Sequence, residues 1–109
     1  MPTMPETLSK ETFAEHLNTK FRVLLDVENA PEVELELAEL VEFPTLTDGR
    51  SDVERFSLFF YGPGDFFLPQ STYRLAHERM GEFDIFLVPS AQEPRGYLYE
   101  AVFSFYKEG

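Results

Sequence analysis

The chain contains no cysteine and no tryptophan. Without cysteine there is no disulfide, no thiolate nucleophile and no cysteine-based metal site, and the redox compartment is left open. Histidine occurs only at His16 and His77, which stand in neither Glu-x-x-His nor His-x-x-x-His spacing. A metal site would have to be assembled from distant carboxylates, so no metal and no cofactor is expected. Positive charge is also scarce. Nine Lys and Arg stand against twenty Asp and Glu, for a net charge of −11. A surface of that sign repels phosphate backbones and anionic membranes, which argues against nucleic-acid and membrane partners. It suits a basic protein partner or imitation of nucleic acid, and it also serves solubility alone. No apolar run approaches the roughly eighteen residues of a membrane span. Met1–Lys10 lacks an apolar segment behind a basic flank, so the expected location is cytoplasmic.

What the chain has in excess is phenylalanine. Aromatics make up 16% of 109 residues, and twelve of them are Phe. A hydrophobic fraction of 43% in a chain of this length supports one core in one domain. Phe and Tyr favour pleated surfaces, which tilts the expectation towards strands. Residues 1–8 read as a loose arm and 9–109 as a single domain.

Ser9 can cap a short helix over Lys10–Leu17, with Phe13 and Leu17 on one face and Asn18 as its stop. The period then changes to two. Phe21, Val23, Leu25 and Val27 alternate with polar residues, a turn covers 29–32, and Val33, Leu35 and Leu37 resume the alternation. At Glu39 and Leu40 the phase is ambiguous between a bulge and a partly exposed Glu39. A polar loop is expected over Pro44–Asp52. Phe56, Leu58 and Phe60 then form one face of a strand whose other face is Ser57, Phe59 and Tyr61. Gly62-Pro63-Gly64-Asp65 breaks that strand. It lacks the Lys and following helix of a phosphate loop, so it reads as a turn. Strands follow over 71–77, 83–88 and 97–106, with Pro89 ending the second and a polar loop over Ser90–Gly96. Short connections imply antiparallel neighbours. The expected fold is all-β with one short N-terminal helix: a six-stranded antiparallel β-barrel or barrel-like sandwich of meander topology.

The strings TFAEHLNTKF at 12–21, FSLFFYGP at 56–63, LPQSTYRLAH at 68–77, MGEFDIFLVP at 80–89 and YLYEAVFSFY at 97–106 resemble an uncharacterised bacterial family. Its members are domains of unknown function of about a hundred residues. The resemblance implies no catalytic residue. Relatives tend to occur beside phage-tail collar-like proteins, which implies an accessory role in a tail-like particle.

Individual residues suggest little chemistry. His77 has no nucleophile at a recognisable spacing and reads as a structural hydrogen-bonder, while His16 reads as solvent-facing. Glu34 and Glu36 read as the wet face of a strand. Gln70 is expected to fasten the preceding loop to the sheet. Glu100, if buried, would need a cation such as Arg74. The informative anomaly is apolar surface on both sheet faces. Phe56, Leu58, Phe60, Phe83, Ile85, Leu87, Phe103 and Phe105 share one face. Phe59, Tyr61, Phe86, Val88, Leu98 and Val102 share the other. A six-stranded barrel can enclose only one set. The second must be covered by the helix, by the Phe66-Phe67-Leu68 loop or by another chain, which marks Phe59, Phe66, Phe67, Leu68 and Phe86 as the candidate interaction surface. The expectation is a non-enzymatic interaction or assembly module that pairs with itself or with another protein. The alternatives are a small-ligand-binding barrel and an acidic inhibitor that imitates nucleic acid.

Overall fold

The computed structural model describes residues 10–25, 28, 30, 32–47 and 52–107, with backbone alone at 44–47, 52–54 and 104–107. The proposed arm, the Ser9 cap and Val27 lie outside them. One helix, α1 (Lys10–Ala14), precedes six strands: β1 (Lys20–Leu24), β2 (Val33–Thr47), β3 (Asp52–Gly62), β4 (Ser71–His77), β5 (Gly81–Glu93) and β6 (Gly96–Lys107). They close into a barrel in the order β1-β2-β3-β6-β5-β4, and every neighbouring pair is antiparallel. Each half, β1-β2-β3 and β4-β5-β6, is a three-stranded meander. The 63–70 connection crosses between the halves, so β4 pairs with β1 rather than with β3.

The alternation read from the sequence sorts the faces correctly. Phe21, Leu35, Leu37, Phe56, Leu58, Phe60, Leu75, Leu87 and Tyr99 are fully buried inside the ring. Burial of this order stabilises by about 1.5–3 kcal/mol per large side chain, and it fills the interior with side chains. The phase problem in β2 is resolved by a bulge between Leu37 and Glu39. It leaves Glu39 exposed and turns Leu40 towards the core, while Val41 and Phe43 face outward.

Two strand boundaries differ from the sequence reading at prolines. Pro44 does not open a loop: β2 runs through it to Thr47, and a register shift between Phe43 and Leu46 absorbs it. Pro89 does not end β5, because a shift between Pro89 and Ala91 takes up the missing donor and the strand continues to Glu93. The expected loop over 90–96 therefore contracts to Pro94-Arg95. Proline is tolerated at bulges, where no ladder hydrogen bond is needed from it.

The two barrel ends are closed differently. The helix ends at Ala14, shorter than expected, and the chain turns through Asn18 in the left-handed region (φ 67°). That geometry suits the residue after a helix, and Asn tolerates it better than most. Asn18 N–H then donates to Leu37 O at 2.6 Å, which ties the turn to β2. This docking drops Phe13 into the barrel mouth, fully buried, with ring centroids 5.5–6.5 Å from Phe103, Phe83 and Phe56. The helix was expected to cover the outer apolar face. It plugs the inner one, because its three ring partners all belong to the inward set.

At the opposite end the 63–70 connection lies across the barrel, with Leu68 in the core. Leu68 N–H donates to the buried Tyr99 hydroxyl at 2.9 Å, and the Tyr73 hydroxyl donates to Pro69 O. These tyrosines do the fastening expected of Gln70, which is exposed. Close backbone approach is needed where β6 begins: Gly96 has φ 140°, and a Cβ there would stand 2.0 Å from Gly62 O.

Candidate functional site

The register fixes what the outer wall of β2, β3, β6 and β5 presents. One row across the strands is Glu39, Phe59, Glu100 and Val88, and the next is Val41, Ser57 and Val102. A third begins Phe43, Arg55, with the Arg55 guanidinium carbon 5.9 Å from the Phe43 ring centre. Phe86 and Val102 each stand two residues beyond the Val88–Glu100 pair on this same face. Val102 is 60% exposed, Phe86 49% and Phe43 38%. Phe67, on the crossing connection, is 48% exposed and packs edge-on to Tyr97 at 5.1 Å.

The residues expected at an interaction surface differ in exposure. Phe67 and Phe86 are exposed, and Phe59 is half-buried in the wall between two glutamates. Leu68 does not belong to it, because it is a core residue. Phe66 packs against the core and is only partly accessible. Both were assigned outward because a proline-flanked apolar run shows no period from which an inward phase can be read. Val102 and Phe43 extend the surface, and strand alternation had already placed Val102 on the outer face.

Ser57 belongs to the outer row yet is fully buried, because Val41 and Val102 flank it and its hydroxyl donates to Glu100 Oε2 at 2.7 Å. Glu100, expected to need a cation such as Arg74 if buried, is half-buried and takes this hydroxyl as its partner. Arg74 is instead held on β4 by Asp84 (3.1 Å) and Glu82 (3.6 Å).

Two grooves lie elsewhere on the outer wall. One, of about 460 Å³, runs past Glu34, Glu36, Tyr61 and Arg95. Arg95 donates to Glu36 at 3.0 Å and lies 3.9 Å above the Tyr61 ring. Tyr61 donates to Glu93, and that carboxylate, with some desolvation, raises the phenol above its ordinary value. Glu36 is therefore a paired residue rather than simply a wet one.

The second groove, of about 390 Å³, contains both histidines. Neither is isolated: their rings pack edge to face at 4.7 Å, and His77 also lies 4.4 Å from the Phe21 ring. His77 Nδ1 accepts from the Arg79 and Met80 N–H groups at 3.0 and 3.2 Å, so its proton sits on Nε2. Nε2–H then donates to Thr19 Oγ1 at 3.0 Å, and that hydroxyl donates to His16 O at 2.6 Å. Burial, and next the neighbouring His16, lower the His77 pKa from 6.5. His77 is the structural hydrogen-bonder expected, but His16 is half-buried rather than solvent-facing. The pairing joins the helix exit to the end of β4, a contact that no sequence spacing encodes.

Among the described residues no group of three or more His, Asp and Glu side chains is placed to hold a metal ion, and no helix is long and apolar enough to cross a membrane. No curated protein and no solved structure matches the chain. A family model does match, over residues 8–103, and its description is domain of unknown function, DUF6916. The chain belongs to that family.

Proposed function

We propose that the domain is a non-enzymatic docking module whose β2-β3-β6-β5 wall binds another protein. The observation that carries this is the exposed apolar strip of Phe86, Val102 and Phe43 on a closed barrel whose core is already filled. Carboxylates share this face with the strip: Glu100 two residues from Val102, Glu39 four residues from Phe43, and Asp84, itself paired with Arg74, two residues from Phe86. An apolar centre within an acidic frame matches a partner with apolar residues ringed by Lys and Arg. A net charge of −11 opposes pairing with a second copy and favours a heterologous partner. A filled interior also weighs against a ligand carrier. Interleaved apolar residues weigh against imitation of a nucleic-acid backbone. The accessory role in a phage-tail-like particle that the family resemblance implies is the specific form of this proposal, and it would place the protein in the cytoplasm before assembly.

The test is affinity purification from the native host, with the wild type and the Phe86→Thr/Val102→Thr variant in parallel, read by mass spectrometry. Both positions are exposed strand positions where Thr is well accommodated, so the fold should persist. The expected result is a basic-faced partner retained by the wild type and lost by the variant. Identical partner sets, together with no apolar-dye binding by the wild type, would overturn the proposal.

A further inference from the structure

We propose that the histidine groove on the β1-β4 side of the barrel is an anion site that takes the phosphate group of a small phosphate monoester. The chain has nine Lys and Arg residues. Among the described residues, Lys10, Arg74 and Arg95 are held in ion pairs, and Arg55 lies over Phe43. Lys20, Arg22 and Arg79 make no ion pair among the described residues, and all three line this one groove.

Their convergence has a structural cause. Lys20 and Arg22 are two apart on β1, so both face outward from Phe21 and Val23, which are buried. Glu36 stands opposite Lys20 in the register but is taken by Arg95. Arg79 is brought beside them because its N–H is anchored on His77 Nδ1, and Arg22 pairs with Ala76 one residue before that histidine. Three cationic donors reaching one groove from two segments suit the several oxygens of a tetrahedral dianion better than a single planar carboxylate.

His16 adds a fourth group. Its Nδ1 lies 2.9 Å from Thr12 O, and a carbonyl can only accept, so Nδ1 carries the proton and Nε2 carries the lone pair. On protonation Nε2 becomes a further donor on the groove. His77, by contrast, has both ring nitrogens committed and serves as the anchor. Two carboxylates also face the groove, Glu34 and Glu78. Glu34 stands opposite Arg22 in the register and competes with an anion for it. With Lys20, Arg22 and Arg79 against Glu34 and Glu78, the groove is locally positive on an acidic molecule. At a screening length of roughly 8 Å, a small ligand experiences that local field, whereas a polyanion would also meet the acidic surface. A groove of about 390 Å³ is within the usual size for small ligands.

The test is a titration of the full chain with glycerol phosphate, inorganic phosphate and sulfate at constant ionic strength, read by backbone-amide and imidazole NMR shifts. The expected result is saturable perturbation centred on Lys20, Arg22, Arg79 and His16. Arg22→Gln/Arg79→Gln should weaken binding at least tenfold. Glu34→Gln should tighten it, a gain that misfolding cannot produce. Perturbation equal to that from chloride, or unchanged by the Arg22/Arg79 variant, would overturn the site. A phosphoserine peptide binding tenfold more tightly than glycerol phosphate would overturn the small-molecule assignment.

Discussion

If α1 is a plug and not a surface ornament, truncating Phe13 should be among the most damaging changes available in this domain. Its side chain is fully buried, and its ring meets Phe103, Phe83 and Phe56 at 5.5, 5.9 and 6.5 Å. Phe→Ala in a core costs about 3–5 kcal/mol, because the lost transfer energy is joined by a cavity that its neighbours only partly fill. Those neighbours sit on β3, β5 and β6, which are fixed by pairing within a closed ring and have little freedom to collapse inward. The helix itself has five residues, too few to persist without that anchor. Unfolding entropy of about 2.1 cal/mol/K per residue gives about 0.23 kcal/mol/K for 109 residues, so the expected fall in Tm is about 13–22 °C. Differential scanning calorimetry of Phe13→Ala beside Leu17→Ala would measure it, the half-buried Leu17 serving as the comparison. A fall below about 5 °C, equivalent to about 1 kcal/mol, would refute the plug and place the helix on the outside. Because His16 follows on the same segment, the variant should also blur the His16 and His77 imidazole resonances.

Among the described residues, the two glycines at positive φ should respond very differently to alanine. Gly81→Ala (φ 80°, no atom within 4 Å) should cost only about 1–2 kcal/mol of backbone strain, whereas Gly96→Ala, with its Cβ 2.0 Å from Gly62 O, should open the β5-β6 turn and unfold at much lower denaturant. Tyr99→Phe deletes the acceptor of the buried Leu68 N–H, and should cost about 1–3 kcal/mol in urea denaturation. The lowered His77 pKa fixes the sign of a pH effect: its contribution to stability is complete above the unfolded value of 6.5 and is lost as pH falls through the lower folded value. Urea midpoints should therefore drop below pH 6.5 in the wild type and drop less over that window in His77→Gln; parallel curves would exclude His77 as the source.

Strand periodicity carried most of the fold, because a closed barrel has one inside and the pleat alternates without exception except at bulges. It placed Phe56, Leu58, Phe60, Ile85, Leu87 and Tyr99 inside and Phe86 and Val102 outside. It failed where periodicity is undefined. The Phe66-Phe67-Leu68 run gave no phase, so Leu68 was taken for surface until the crossing connection laid it over the barrel end. Prolines were read as strand ends, yet a bulge at Pro44 and another beside Pro89 let the ladders continue.

By itself, then, the chain determined its all-β class, its two apolar faces and its excess of negative charge, since these are local or compositional properties. Only tertiary structure decided which strands close the ring and what fills its mouths. It also decided that His16 meets His77, and that three scarce cations share one groove. Those contacts join residues up to ninety positions apart, as Phe13 and Phe103 are, and no local pattern specifies a neighbour that arrives from another strand.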